Sequence, residues 1–86
     1  VVVSTDEFND SPAELVIICP MTQTDLPYIP TRITVQPKDS GLKEVGHIIG
    51  EQPRTISVNR LKRRMGFVRG LVMQKIEDIL RMILGL

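Results

Sequence analysis

Leu15-Val16-Ile17-Ile18-Cys19-Pro20-Met21-Thr22-Gln23-Thr24 is the stretch on which the reading of this 86-residue chain turns. The apolar run from Leu15 to Cys19 does not alternate, so Glu14 to Met21 reads as a central strand covered on both faces. Directly after it come Thr22, Gln23 and Thr24, small polar groups that a buried strand holds in place and a ligand can reach. Gly50-Glu51-Gln52-Pro53-Arg54-Thr55-Ile56-Ser57 repeats this arrangement after a second strand, Val45 to Ile49. The two segments are expected to deliver hydroxyl, amide and carboxylate groups to one surface, which suits the binding of a phosphodiester.

Outward from these anchors, Val1 to Ser4 reads as a strand already under way, whose beginning is expected upstream of Val1. Thr5 to Pro12 is rich in turn formers and predicts a reversal. Thr31 to Gln36 alternates, with Ile33 and Val35 on a buried face and Arg32, Thr34 and Gln36 on a wet one. Pro37 to Gly41 is a predicted turn, Arg54 to Val58 a further strand, and Val58 to Leu61 a helical turn. From Leu71 the period becomes helical: Val72, Ile76, Ile79, Leu80 and Ile83 form one stripe, while Gly70 is read as ending the preceding segment. Met73, Met82 and Leu84 widen the apolar surface beyond what a small sheet covers, which suits an interaction face. The predicted class is mainly β with a C-terminal helix: a small, strongly curved antiparallel sheet or barrel capped by that helix.

At this length the chain is one domain with a thin core, burying roughly 60% of the surface its unfolded form exposes, so a subunit interface would add stability. The apolar C-terminal stretch is interrupted by Gln74, Lys75, Glu77, Asp78 and Arg81, so no membrane span is expected. The single cysteine, Cys19, excludes an internal disulfide framework and points to a reducing cytoplasm. With one histidine, His47, it leaves no metal-ligand cluster. The net charge of +1 conceals a segregation: Arg54, Arg60, Lys62, Arg63, Arg64 and Arg69 crowd into one third of the chain, and Asp6, Glu7, Asp10 and Glu14 lie near its start. Local basicity of that kind serves phosphate binding, and it serves equally as a solvated loop.

The candidate chemistry is hydrogen bonding and charge. Thr22 can donate its hydroxyl to a phosphate oxygen, and the amides of Gln23 or Gln52 can read a base edge. Glu51 can take a proton from a ribose hydroxyl, orient a cation, or pair with Arg54 at the surface. Each segment is also ordinary turn sequence. His47 in a strand and Cys19 in an apolar run are read as structural, and Tyr28 and Phe67 as stacking groups or core.

Taken in order, Val1-Val2-Val3-Ser4, Phe8-Asn9, the strand ending Cys19-Pro20-Met21-Thr22-Gln23, Glu51-Gln52-Pro53-Arg54-Thr55-Ile56 and the closing amphipathic helix resemble the MazF/PemK-type toxins of bacterial toxin-antitoxin pairs. The resemblance spans essentially the whole chain, 1–86. It implies a small SH3-like barrel, here without its first strand and the loop that follows, and a homodimeric cytoplasmic enzyme. The implied activity is sequence-selective, metal-independent and cofactor-free cleavage of single-stranded RNA, in which the ribose 2'-OH attacks its own phosphodiester. Thr22 is then the phosphate-binding catalytic residue, and Gln23, Glu51, Gln52 and Arg54 are RNA contacts. The family's catalytic arginine, in an Arg-Pro pair, falls just upstream of Val1. The partner implied is an antitoxin with an extended acidic and apolar tail that fills the RNA groove. A non-catalytic small barrel that binds nucleic acid or peptide, and a purely structural dimerisation domain, are the alternatives.

Overall fold

Residues 1–68 and 70–86 are described by a computed structural model; Arg69, counted above in the basic cluster, lies outside the described residues. The apolar run does not continue as one strand. Leu15–Ile18 forms β1, and Cys19-Pro20 then breaks the ladder, because proline has no N–H to contribute. The chain resumes as the two-residue strand β2, Met21–Thr22, in a different sheet.

There β4 (Gly46–Ile49) lies between β2 and β3 (Arg32–Val35) and is antiparallel to both. Met21 is opposite Ile48, and both Thr22 and Thr34 are opposite His47. The other sheet pairs β1 with β5 (Arg54–Ser57), Val16 opposite Ile56 and Ile18 opposite Arg54. The result is mainly antiparallel strands with a C-terminal helix, as expected, although the strands among the described residues form two sheets and do not close into a ring.

Burial along β1 departs from the expectation of a strand covered on both faces. Val16 and Cys19 are buried, whereas Leu15, Ile17 and Ile18 are half-buried. The free edge of β1 meets only the first residues of the chain: Val2 forms an isolated bridge with Ile18, Val3 N–H donates to Ile17 O at 2.9 Å and Cys19 N–H to Val1 O at 2.8 Å. The expected reversal at Thr5 to Pro12 contains a one-turn helix, α1 (Asp6–Asn9), which Thr5 caps by accepting the Phe8 amide at 3.3 Å. A threonine followed by two acids is a helix-start signal as much as a turn signal. Short 3-10 turns occupy Pro37–Asp39 and Val58–Arg60.

Alternation in β3 holds: Ile33 and Val35 are buried and Thr34 is exposed. Those two join Cys19, Ile48, Val72 and Ile76 in one core cluster, with Val72 and Ile76 supplied by α2 (Gly70–Leu84) lying against β3. Gly70 is the first residue of that helix and not a stop before it. The predicted stripe narrows toward the C-terminus: Ile79 and Leu80 are half-buried against the core, but Ile83 is 41% exposed and Met82 and Leu84 more so. Gly50 permits the helix to approach the end of β4, since a Cβ there would lie 2.6 Å from Thr31 O and 3.0 Å from Ile79 Cγ2.

Candidate nucleic-acid interface

Thr22 ends β2 at the edge of a groove of about 710 Å3, whose walls include Gln23, Lys43, Glu44, Arg63 and Arg64. Strand pairing with His47 fixes the Thr22 backbone. The Thr24 amide donates to Thr22 Oγ1 at 3.1 Å, which orients that oxygen and leaves its own O–H to be donated elsewhere. Gln23 Nε2 donates to the Glu44 carboxylate, the one acid among the charged residues that line the groove, set against three cations. The net local charge is positive, which attracts a phosphate backbone.

Arg64 also stacks its guanidinium 3.5 Å from the centroid of the Phe67 ring, and that ring is 68% exposed. Tyr28 is exposed as well, so neither aromatic is core. His47 and Cys19, read from the sequence as structural, are both buried. His47 is buried with Nδ1 3.1 Å from Thr34 Oγ1, and burial in an apolar cluster pushes the Cys19 thiol above its usual value.

The second predicted segment lies elsewhere. Antiparallel β2 and β4 run in opposite directions, so the residues that follow them emerge at opposite ends of the sheet. Thr22 and Gln23 leave near Val45, whereas Glu51 and Gln52 follow Ile49 into the turn toward β5. Glu51 pairs with Arg32, not with Arg54: Arg32 Nε donates to both carboxylate oxygens, at 3.0 and 3.3 Å, and the Arg32 side chain is only 14% exposed. Arg54 Nη2 donates instead to Gln52 Oε1 at 3.1 Å, at the surface.

Desolvation opposes the Glu51 charge, but hydrogen bonds from its own backbone amide, Arg32 and Thr31 outweigh it and hold the carboxyl below the ordinary carboxylate range. The pair therefore contributes stability above that range and loses it as pH falls through the depressed value. Arg32→Met is expected to raise Glu51 toward the ordinary range and to reduce that acid-side loss, since the backbone and Thr31 hydrogen bonds remain. Carbon-detected titration of the Glu51 carboxyl in both proteins measures it, and an unmoved midpoint would refute the pairing.

Sequence reasoning read Arg32 only as part of a wet strand face and did not single out Lys43 or Glu44, which lie between the predicted turn and strand. Arg63 and Arg64 were visible as charge, but their sharing of one groove with Thr22 was not. Among the described residues, no group of three or more His, Cys, Asp or Glu side chains is placed to hold a metal ion, and no helix is long and apolar enough to cross a membrane.

Residues 1–84 match the family model of the PemK-like, MazF-like toxin of type II toxin-antitoxin systems. The chain belongs to the PemK/MazF toxin family. No curated protein matches it. Among solved structures similar to this PemK/MazF member is an endoribonuclease in complex with its cognate antitoxin from a mycobacterial species. It is 28% identical with a TM-score of 0.84 over 100% of this chain and 79% of that one. Another is a mycobacterial endoribonuclease, 26% identical with a TM-score of 0.82 over 100% of this chain and 78% of that one. The Mycobacterium tuberculosis toxin MazF-mt6 shares the fold at 17% identity, with a TM-score of 0.82 over 100% of this chain and 84% of that chain.

Proposed function

We propose that this protein is a metal-independent endoribonuclease toxin that cuts single-stranded RNA at selected sequences and is neutralised by an antitoxin. One observation carries the reading: Thr22, its Oγ1 held by the Thr24 amide, lines the same groove as Arg63 and Arg64. A phosphodiester in that groove accepts the Thr22 O–H on a non-bridging oxygen. Lys43, Arg63 and Arg64 offset the charge that builds as the ribose 2'-O–P bond forms and the P–O5' bond breaks. The 2' proton is removed and the 5' oxygen protonated, leaving a cyclic phosphate and a free 5'-OH.

Gln23 and the exposed Phe67 contact bases beside the groove. Gln52 and Arg54, with the Glu51–Arg32 pair behind them, contact the strand beyond it. The groove's cations suit an acidic antitoxin tail as well as RNA, and the antitoxin complex of a 28% identical relative supports that partner. Exposed Leu71, Met82 and Leu84 on α2 suit a homodimer contact, and the reading places the toxin in the cytoplasm.

Arg63→Ala/Arg64→Ala tests the groove. Each phosphate contact to a single strand contributes about 0.7 to the slope of log affinity against log salt. Losing two lowers the slope by about 1.4, which is roughly 25-fold in affinity at 0.1 M salt and nothing at 1 M. Anisotropy of a labelled mixed-sequence RNA 12-mer reads this, and an unchanged slope refutes the groove as the RNA site. Binding without cleavage by the toxin in its full genomic length, assayed for cyclic-phosphate ends, refutes the nuclease reading in favour of a binding module.

A further inference from the structure

The residues that bring Arg63 and Arg64 to the groove form an extended segment, 62–68, with no helix or strand of its own. No backbone hydrogen bond among the described residues ties it to the rest of the fold. It is nonetheless seated, and the seat is steric. At Gly66 the backbone lies so close to the 40–41 turn that a Cβ would fall 2.1 Å from Ser40 O, 3.2 Å from Ser40 C and 3.5 Å from Gly41 Cα. These are backbone atoms, so no side-chain rotation relieves the overlap.

The turn on the other side of the contact is itself fixed. Ser40 is buried, its hydroxyl accepts the Leu42 amide at 3.1 Å and donates to Gln36 O at 3.4 Å, and Gly41 takes φ +79°, which favours glycine. Gly41 to Val45 continue directly into the groove lining. One backbone-on-backbone contact thus joins two stretches of the groove lining: Arg64 and Met65, which precede Gly66, and Leu42 and Lys43, which follow Gly41.

We infer that Gly66 is a positioning residue for RNA binding: its missing side chain lets the basic segment dock on the Ser40-Gly41 turn, and that docking sets Arg63 and Arg64 in the groove that Thr22 also lines. The inference rests on the proposed RNA reading and names a residue that reading does not require. Gly66 touches no substrate and acts only through the two arginines. Any larger residue lifts the segment off the turn, while Val68, half-buried against the core, keeps it attached at its far end. The arginines then lose their placement and keep their charge.

Gly66→Ala is the test, with Gly70→Ala as its control, since a Cβ at Gly70 meets nothing within 4 Å. RNA 12-mer affinity is measured by anisotropy from 0.05 to 1 M salt for the wild type, both alanine variants, Arg63→Ala/Arg64→Ala and the triple variant. Gly66→Ala is expected to weaken binding at least fivefold at 0.1 M salt and to lower the salt slope by 0.7 or more, the loss of at least one phosphate contact. Gly70→Ala is expected to change neither. In the Arg63→Ala/Arg64→Ala background, Gly66→Ala is expected to add less than a twofold loss, because the groups it positions are gone. Near-ultraviolet circular dichroism separates this from unfolding, which would weaken both backgrounds alike. Wild-type affinity for Gly66→Ala, or an equal loss in both backgrounds, overturns the inference. If Arg63→Ala/Arg64→Ala itself binds like wild type, the RNA reading of the groove fails, independently of Gly66.

Discussion

Thr22→Ala lowers RNA cleavage by roughly 100- to 1,000-fold, the range seen when one preorganised donor to a developing oxyanion is removed. The side chain sits at the end of β2 with the Thr24 amide as its hydrogen-bond partner, so its loss removes little from the fold. The stability change should stay near 1 kcal/mol, the usual net value of one hydrogen bond. Single-turnover cleavage by the toxin in its full genomic length, with circular dichroism and a urea titration alongside, measures both. RNA affinity should fall far less than the rate, since most charge attraction comes from Lys43, Arg63 and Arg64. A rate within threefold of wild type in a folded variant would remove Thr22 from the mechanism.

Ile76→Ala threatens the fold itself. Ile76 is fully buried where α2 meets the sheet, in a cluster with Cys19, Ile33, Val35, Ile48 and Val72. Truncating a buried isoleucine costs about 2–5 kcal/mol, and domains of this size hold only about 5–10 kcal/mol in total. A drop in Tm of roughly 10–30 °C follows. Ile83→Ala, at an exposed position on the same helix, stays within about 0.5 kcal/mol in the folded monomer. Thermal melts of the two variants at matched concentration decide it, and equal melting temperatures would mean that α2 does not dock by its Val72–Ile76 face.

Periodicity made the architecture legible. Alternation at Ile33, Thr34 and Val35 and the stripe at Val72, Ile76, Ile79 and Leu80 are local patterns, and the structure keeps both. The order of strands between sheets was hidden. Glu14 to Met21 reads as one strand, yet Cys19-Pro20 passes the chain from one sheet to the other, because the proline removes one N–H where a continuous ladder would need it.

The site was half legible for a related reason. Thr22 ends a strand and Glu51 closely follows one, and a strand end is where a core-held side chain can meet a ligand. Antiparallel neighbours, however, send their following residues to opposite ends, and sequence alone does not state which strands are neighbours. Arg32 was disguised by sitting on the polar side of an alternating strand, where a half-buried ion pair and a solvated charge look the same. Gly66 carried no signal at all, because what fixes it is the backbone of a turn about 25 residues earlier.

The pairing of β1 with β5 joins segments about 40 residues apart, with all of the second sheet between them. Closing so long a loop is entropically costly and rewards the chain only when complete. On the ribosome, β1 lacks this strand partner until Ser57 has emerged, and the core lacks Ile76 for about twenty residues more, so the sheets and the helix that packs on them can only be completed together, late in the order of synthesis of residues 15–76.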